Sequence, residues 1–198
     1  DYYRNFSVND TKITAGAGCL LWDIIKNAAT AGLSGLEGLS GIPGTIGGAL
    51  RMNAGAWEYS ISDFIESIKI LDLDDMKIKN IMPHDATFDY RSSNEKIIFI
   101  EAVFRLKNDD PETINSRIKG IIAKRNATQP LSKFSAGCVF KNPPNDYAGG
   151  IIDRLGLKGL SVGGAQVSEK HANFIVNNGD ACALDIWLLI ERLQQIVQ

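Results

Sequence analysis

The sequence lacks an excess of charge of either sign. Its 198 residues include 21 lysines and arginines and 23 aspartates and glutamates, which leaves a formal net charge of -2. So small a net charge gives no general electrostatic attraction to a nucleic-acid backbone or to an anionic lipid surface. We therefore expect neither nucleic acid nor a membrane as a partner.

Long hydrophobic runs are also lacking. No apolar run approaches the roughly 18 residues that a membrane-spanning helix needs, and the opening residues, Asp1 to Arg4, show no signal-peptide pattern. We therefore expect a cytoplasmic protein. Because 44% of the residues are hydrophobic, the chain can bury a sizeable core in one large domain or in two small ones.

Cysteine is scarce, and the three cysteines lie far apart. Cys19, Cys138 and Cys182 are odd in number and include no C-x-x-C pair. A disulfide framework or a zinc site has little support from such a pattern. We expect reduced thiols and no bound metal.

Hydrophobic periodicity predicts an α+β chain. Strand patterns occupy residues 12–17, 61–73, 77–82, 97–106 and 172–176, and helical patterns occupy residues 20–28, 111–128, 151–155 and 183–197. Residues 61–82 are predicted to form a hairpin. The polar segment before Pro111 provides Asp110 as a helix N-cap. We place a domain boundary there, with one domain at residues 1–107 and a second at residues 108–198.

Glycine is concentrated in residues 32–56, where regular structure must be brief. The segment from Gly38 to Ala49 offers backbone N–H groups with few side chains in the way, which suits a pyrophosphate or the edge of a flavin ring. It matches neither the dinucleotide-binding nor the P-loop fingerprint. Since glycine also serves tight connections, ligand binding and a purely structural turn both remain open.

Other segments carry side chains that are suited to chemistry. Arg91 follows Tyr90 in a predicted loop, where it could hold a carboxylate or a phosphate or be a solvated surface arginine. Cys138 follows a glycine and precedes Lys141 and Asn142, and it could be a reactive acid or nucleophile or an inert buried thiol. The segment 168–171 could orient a proton-transfer pair or form a charged turn before a strand.

Five blocks of sequence in order resemble the motif set of the enolpyruvoylglucosamine reductases. They are Gly35–Gly48, Met52–Ala56, Tyr90–Ser93, Gly137–Pro143 and Gly163–Phe174. Each block alone would be weak, but their order makes the resemblance specific. It covers nearly the whole chain.

The resemblance implies the second part of a vanillyl-alcohol-oxidase-type FAD-binding domain, followed by the α+β substrate domain of the reductases. It implies FAD and NADPH as cofactors and UDP-N-acetylglucosamine enolpyruvate as the substrate, which is reduced to UDP-N-acetylmuramate for peptidoglycan. The implied cofactor-binding residues are Gly41, Ile42, Pro43, Gly44, Thr45, Ile46, Gly47, Gly48, Asn53, Ala54 and Gly55.

The resemblance also implies roles for individual side chains. Arg91 matches the arginine that holds the substrate carboxylate and the developing enolate, and Cys138 matches the position of the proton donor. The implied substrate-binding residues are Tyr90, Lys141, Asn142, Lys170 and His171.

The chain departs from the family pattern in three respects. The donor position usually holds serine, but here it holds Cys138, and a position that is often lysine holds Thr128. We also expect the N-terminal Gly-x-Gly-Ser-Asn loop to precede Asp1 and the catalytic glutamate to follow Gln198. Glu169 belongs to another motif and is not assigned that role. The isolated chain is therefore expected to be inactive.

Two other functions remain open. One is a different FAD oxidoreductase of the same fold, against which the Cys138 and Gly163 blocks argue. The other is a flavin-free module that binds a UDP-sugar.

Overall fold

The computed structural model describes residues 3–57 and 59–197. The chain divides into two compact units, of which the first ends at Ile122 and the second begins at Ala123. This spatial division falls later than the predicted boundary after residue 107. The assignment of the domains themselves stays a prediction.

The first unit is mainly β-structure with short helices. Its strands are β1 (Phe6–Asn9), β2 (Lys12–Gly16), β3 (Leu33–Ser34), β4 (Gly55–Ala56), β5 (Tyr59–Ser60), β6 (Ile65–Asp72), β7 (Lys77–Ile81), β8 (Ile97–Arg105) and β9 (Lys107–Asn108). Its helices are α1 (Leu21–Thr30) and α2 (Ile46–Arg51), and α3 (Pro111–Thr128) runs through the point of division. Short 3-10 turns occupy Leu36–Leu39, Ile61–Phe64 and Pro83–Ala86.

An antiparallel five-stranded sheet organises the first unit. The strand order is β1-β2-β8-β6-β7, and β3 pairs with β9 and β4 with β5 outside it. Ile13 of β2 lies opposite Phe104 of β8, and both are fully buried. Alternation along these strands directs one set of apolar side chains into the core, as the period-two pattern predicts.

The helix predicted from the pattern of residues 20–28 is confirmed as α1, except at its first residue. Leu21, Ile24 and Ala28 are buried on one face, and the helix ends before Gly32, whose φ is 69°. The helical pattern of residues 20–28 places Leu20 on that face, but Leu20 is 53% exposed. It precedes the helix in an extended conformation, so its side chain leaves the helical register.

The predicted hairpin is confirmed for β6 and β7. Their register runs from Ile68 opposite Ile81 to Asp72 opposite Lys77. The prediction of a strand from residue 61 is wrong, because Ile61–Phe64 forms a 3-10 turn. The Asp63 carboxylate accepts the Ser60 N–H at 2.9 Å and so caps that turn.

The second unit packs helices on a smaller antiparallel sheet. Its strands are β10 (Phe134–Cys138), β11 (Ser161–Val162), β12 (Ala165–Val167) and β13 (Phe174–Asn177), in the order β10-β13-β12-β11. Its helices are α4 (Ala148–Arg154) and α5 (Ala183–Val197). The core of this unit contains Ile152, Ala165, Val167, Ala172, Ile175, Leu189 and Leu193.

Caps set several boundaries that periodicity places only approximately. The Asp110 carboxylate accepts the Thr113 N–H at 2.8 Å, which confirms the predicted N-cap of α3. Helix α4 begins at Ala148 rather than at residue 151, because the Asn142 side-chain oxygen accepts the Ala148 N–H at 3.1 Å. Strand β13 begins at Phe174 rather than at residue 172, because residues 171–174 form a turn.

None of the helices in the described part of the chain has the length and apolarity to cross a membrane.

Candidate functional site

The glycine-rich segment of the first unit is held by backbone hydrogen bonds. The Gly47 N–H donates to the Ala17 carbonyl at 2.8 Å, and the Ile46 N–H donates to the Cys19 carbonyl at 2.9 Å. The Gly44 carbonyl accepts the Leu21 N–H at 3.0 Å. These bonds fix the segment on the end of β2 and on the start of α1.

The glycines of this segment divide into two kinds. A Cβ at Gly47 would lie 2.9 Å from the Ala17 Cβ, and a Cβ at Gly55 would overlap the Tyr59 carbonyl. A Cβ at Gly48 would meet only the Thr45 hydroxyl oxygen at 3.7 Å, and one at Gly44 would meet nothing within 4 Å. Packing therefore explains the first pair. At Gly44 the φ of 122° itself favours glycine, whereas neither packing nor φ requires glycine at Gly48, whose backbone is open to a ligand.

The remaining predicted cofactor residues differ in exposure. Gly41 and Pro43 are exposed, whereas Ile42 and Ala54 pack partly against the core of the first unit. Ile46 is fully buried, so its side chain packs in the core of the first unit and holds the segment against it. Their assignment to a cofactor stays a prediction.

Arg91 lies in a tight turn with a strained backbone. Asp89 and Ser92 exchange backbone hydrogen bonds of 3.1 and 3.2 Å around Tyr90 and Arg91. Arg91 has φ 54°, a left-handed conformation that costs a residue with a Cβ on the order of 1 kcal/mol. Strain of this kind is found at functional sites, where the surrounding structure over-determines it.

Hydrogen bonds from the end of α2 hold this turn. The Arg51 guanidinium donates to the Ser93 carbonyl at 2.8 Å, and the Ser93 hydroxyl donates to the Arg51 carbonyl at 3.0 Å. The Asn53 side-chain NH₂ donates to the Asp89 carbonyl at 3.3 Å. The fold thus joins the glycine-rich segment to the Arg91 turn. Sequence reasoning missed Arg51, because a cation between two motifs has no distinguishing pattern.

A cavity of about 340 Å³ lies in the second unit. Among its lining residues are the predicted Cys138, Asn142, Lys170 and His171. Lys141 is exposed and is not among the lining residues. The fold therefore brings together side chains from two sequence blocks that periodicity alone could not place side by side.

Cys138 ends β10 at an irregularity in the sheet. Gly137 has φ 83°, and the register between β10 and β13 shifts between Ser135 and Cys138. Beyond the thiol, the buried Asn173 side chain donates to the Phe140 carbonyl and accepts the Phe140 N–H, both at 2.9 Å. Sequence reasoning gave Asn173 no role, although it lies inside the last motif.

Another part of the cavity lining belongs to a turn in which the Ser168 side chain accepts hydrogen bonds. Its hydroxyl oxygen accepts the Lys170 N–H at 3.1 Å and the His171 N–H at 3.3 Å. Burial lowers the pKa of His171, and the charge of Lys158 adds to the effect. The imidazole is therefore neutral near pH 7 and can act as a hydrogen-bonding group.

The lining of this cavity does not resemble a metal site. The part of the chain at 3–57 and 59–197 has no group of three or more His, Cys, Asp or Glu side chains that could hold a metal ion. Cys19, Cys138 and Cys182 form no disulfide in the described part of the chain.

Two family models match the chain in order. Residues 3–81 match an FAD binding domain, and residues 129–198 match the C-terminal domain of UDP-N-acetylenolpyruvoylglucosamine reductase. The reductase of Caldicellulosiruptor bescii is 44% identical over 198 residues, covering 98% of this chain and 63% of the relative. The crystal structure of the Thermus caldophilus reductase superimposes with a TM-score of 0.86 at 42% identity, covering 95% of this chain and 70% of that one.

The chain belongs to the UDP-N-acetylenolpyruvoylglucosamine reductase family. A second reductase of this family, from Symbiobacterium thermophilum, is 39% identical over 99% of this chain and 64% of its own length. The chain thus spans somewhat less than two thirds of these curated relatives. The predicted fold, an FAD-binding domain followed by the reductase C-terminal domain, is confirmed. The Arg91 turn lies between the two matched ranges, and Cys138 lies within the second.

Proposed function

We propose that this chain is part of a flavoenzyme that reduces UDP-N-acetylglucosamine enolpyruvate to UDP-N-acetylmuramate with NADPH in peptidoglycan synthesis. The observation that carries the proposal is the 44% identity to a reductase of that name over 98% of the chain. The match to the reductase C-terminal domain favours this activity over another FAD oxidoreductase. The match of residues 3–81 to an FAD binding domain disfavours a flavin-free module.

The open glycines of the first unit fit a flavin cofactor. Gly44 and Gly48 are exposed and leave their backbone accessible, and Gly47 and Gly55 hold the segment in place by close packing. When bound, FAD would supply the hydride that NADPH delivers and that ends on the terminal methylene carbon of the enolpyruvyl group.

Arg91 is proposed to hold the substrate carboxylate. A guanidinium presents a planar fork that matches a carboxylate, and its charge becomes more favourable as negative charge develops on the adjacent carbon. The hydrogen bonds from Arg51 and Asn53 fix the turn that carries it. Such preorganisation avoids the cost of ordering the turn during the reaction.

Cys138 is proposed to donate the proton. Addition of hydride to the methylene carbon leaves an electron pair on the neighbouring carbon. The thiol S–H bond breaks, its proton forms the new C–H bond, and a thiolate remains that solvent must reprotonate. With an ordinary pKa of about 8.5, a thiol is mostly protonated near pH 7 and is a stronger acid than the alcohol of a serine.

The remaining side chains are proposed to bind the nucleotide sugar. Asn142 and Lys170 line the Cys138 cavity and offer an amide and a cation for sugar and diphosphate oxygens. The neutral His171 supplies a further polar contact. Lys141 and Tyr90 are exposed side chains and are proposed to contact the same substrate.

The decisive test follows the flavin absorbance of the complete enzyme without oxygen. NADPH should bleach the flavin, and UDP-N-acetylglucosamine enolpyruvate should restore the absorbance with formation of UDP-N-acetylmuramate, identified by mass. UDP-N-acetylglucosamine, which lacks the double bond, is the control and should restore nothing. A bleached flavin that the enolpyruvyl compound does not reoxidise would refute the proposal.

A further inference from the structure

Asn173 is a buried polar residue in the turn that carries His171, one position before β13. It is only 3% exposed. Its side-chain oxygen accepts the Phe140 N–H at 2.9 Å, and its side-chain NH₂ donates to the Phe140 carbonyl at 2.9 Å. The amide therefore uses both its donor and its acceptor on the backbone of a single residue.

The backbone of Asn173 makes two more hydrogen bonds at the cavity. Its carbonyl accepts the Val139 N–H at 2.8 Å, and its N–H donates to Nδ1 of His171 at 3.3 Å. The Val139 N–H belongs to the peptide bond that directly follows Cys138. Asn173 also lines the cavity together with Cys138 and His171. Its four hydrogen bonds thus join the segment after Cys138 to the turn that carries His171.

These bonds lie where the regular pairing of β10 ends. The register between β10 and β13 shifts between Ser135 and Cys138, and Gly137 has φ 83°. Strand β10 ends at Cys138, which pairs with Phe174. Beyond that pair, the side chain of Asn173 takes the place of a strand backbone as the partner of Phe140. Asn173 therefore holds the chain on the side of Cys138 where the ladder has ended.

We propose that Asn173 is a positioning residue that holds Cys138 in the geometry that proton transfer to the substrate requires. It acts through the backbone of Val139 and Phe140 and not on the substrate. A displacement of about 1 Å at a reacting group can lower a rate by about a hundredfold. The catalytic part of this role rests on the proposed function of Cys138, but the hold of Asn173 on Phe140 does not.

A purely structural role is the alternative. An unpaired buried backbone group costs about 1 to 3 kcal/mol, so the Asn173 amide could serve only to satisfy the peptide groups of Phe140. Loss of stability alone would then explain every effect of a substitution. The experiments therefore compare Asn173 with a residue whose removal destabilises the same unit at another place.

The first measurement is amide hydrogen exchange in the whole chain, which needs no activity. Asn173→Ala should speed exchange of the Phe140 amide by about tenfold relative to the β13 amides, because the Phe140 N–H loses an acceptor while the sheet remains. Asn178→Ala removes an exposed asparagine that bonds to Gln166 and Lys133, and it should leave the Phe140 amide unchanged. Unchanged relative protection of Phe140 in Asn173→Ala would overturn the proposal.

The second measurement separates the two half-reactions of the complete enzyme. Asn173→Ala should leave flavin reduction by NADPH intact but slow reoxidation by the enolpyruvyl substrate by about a hundredfold. The substrate concentration that gives half the maximal rate should stay within about threefold of the parent value, because the backbone N–H that bonds to His171 is retained.

Leu193→Ala is the stability-matched control for this measurement. It removes a buried leucine of α5 from the core of the second unit, at a cost of about 2 to 5 kcal/mol. At a temperature where the protein is folded, this variant should reoxidise its flavin nearly as fast as the parent. If Leu193→Ala is as slow as Asn173→Ala, the role of Asn173 is structural and the proposal fails.

Asn173→Asp tests the two side-chain bonds directly and replaces Asn173→Ala if that variant does not fold. A protonated carboxyl has the shape of the amide and can both accept the Phe140 N–H and donate to the Phe140 carbonyl. A carboxylate cannot donate, and burial raises the pKa of an introduced carboxyl. Reoxidation relative to the parent should therefore rise as the pH falls from about 8 to about 6, by up to about tenfold per pH unit.

The other titratable groups of the cavity are the same in the parent and in this variant, so their titration cancels in the ratio. They are Cys138, Tyr147, Asp153, Lys158, Lys170 and His171. A ratio that is low and does not change with pH would overturn the proposal, since the restored bonds would then not restore the rate.

The parent enzyme in the same series distinguishes this inference from the proposed function. A parent flavin that the enolpyruvyl substrate does not reoxidise would refute the proposed function and with it the catalytic part of the role of Asn173. A parent that is reoxidised beside an Asn173→Ala variant that is reoxidised equally fast would refute the role of Asn173 alone.

Discussion

The glycine-rich segment of the first unit and the Cys138 cavity of the second are built in different ways. The first is a backbone surface, in which Gly44 and Gly48 are open and Gly47 fits closely against Ala17. The second is a side-chain cavity, in which Cys138 lies with titratable and amide groups. A backbone surface suits a cofactor that is held by shape and N–H groups, whereas a side-chain cavity suits proton transfer. Substitutions should therefore have different consequences in the two units.

The largest effect is expected from removing the thiol of Cys138. In the complete enzyme, Cys138→Ala should leave flavin reduction by NADPH intact but slow reoxidation by the enolpyruvyl substrate by about two to four orders of magnitude, as loss of a general acid commonly does. Rapid-mixing absorbance separates the two half-reactions.

Cys138→Ser is the matched control for that substitution. A hydroxyl can deliver the proton, so this variant should keep substantial activity. It should also lose any sensitivity to peroxide that resides at the thiol, because serine cannot follow the oxidation steps of sulfur. An alanine variant that reoxidises at the parent rate would make Cys138 an inert thiol.

The next largest effect is expected at Arg91. Arg91→Ala should lower turnover by about two to three orders of magnitude, since it removes an electrostatic donor to the developing charge. NADPH should still bleach the flavin. Arg105→Ala removes an exposed arginine of β8 and should leave turnover nearly unchanged. Steady-state turnover of the three proteins is the measurement, and near-normal turnover of Arg91→Ala would make Arg91 a solvated surface residue.

The strained backbone at Arg91 allows function to be separated from stability. Arg91→Gly should lose as much turnover as Arg91→Ala but unfold with a free energy higher by about 1 kcal/mol than the alanine variant, because glycine adopts φ 54° without a Cβ clash. Denaturant titration of both variants gives the difference. Equal free energies of unfolding would show that the turn relaxes in the variants.

The sequence predicted the elements of the fold better than it predicted the neighbours of the site. Period-two and helical patterns located β2, β8, α1 and α5, because burial of one face imposes them directly. The start of α4 depends on the Asn142 side chain, and the Arg91 turn depends on Arg51, and no local pattern encodes either contact. The five motif blocks located the candidate site residues only through their resemblance to a family.

Gly47 and Gly48 form a matched pair that tests which glycines of the first unit are required by packing and which leave the backbone open. Gly47→Ala should destabilise the chain by about 1 to 3 kcal/mol, since the new methyl group would press on Ala17 in a packed region. Gly48→Ala should change stability by less than about 1 kcal/mol, and in the favourable direction, because alanine suits a helix better than glycine. Denaturant titration measures both.

Binding of the cofactor should respond in the opposite order at these two glycines. In the complete enzyme, Gly48→Ala should weaken FAD binding although the fold is intact, which equilibrium titration with FAD would detect. If Gly48→Ala binds FAD as the parent does, the open glycines are connections without a ligand, and the structural alternative for this segment holds.

The smallest effect is expected from a change of pH. The stability of the two units should respond to pH differently, because different groups titrate in them. Burial lowers the pKa of His171 in the second unit from its usual 6.5. In the first unit, burial would raise the pKa of Glu37 from 4.5, but hydrogen bonds from Gly35, Ser34 and Arg117 outweigh burial and lower it. A group with a lowered folded pKa stabilises the fold above its unfolded pKa, and that stability is lost as the pH falls towards the folded value.

The second unit should therefore begin to lose stability below pH 6.5, whereas the contribution of Glu37 to the first unit persists down to pH 4.5. Hydrogen exchange of the β13 and β8 amides at about pH 7 and about pH 5.5, corrected for the intrinsic rates, compares the units in one sample. Protection should fall in β13 and not in β8. His171→Gln is the control, because a side chain that does not titrate should remove the pH dependence of β13 in this interval. If His171→Gln loses as much β13 protection as the parent chain, another group of the second unit binds the proton. The stability of the sheet that contains β13 would then not depend on a neutral His171.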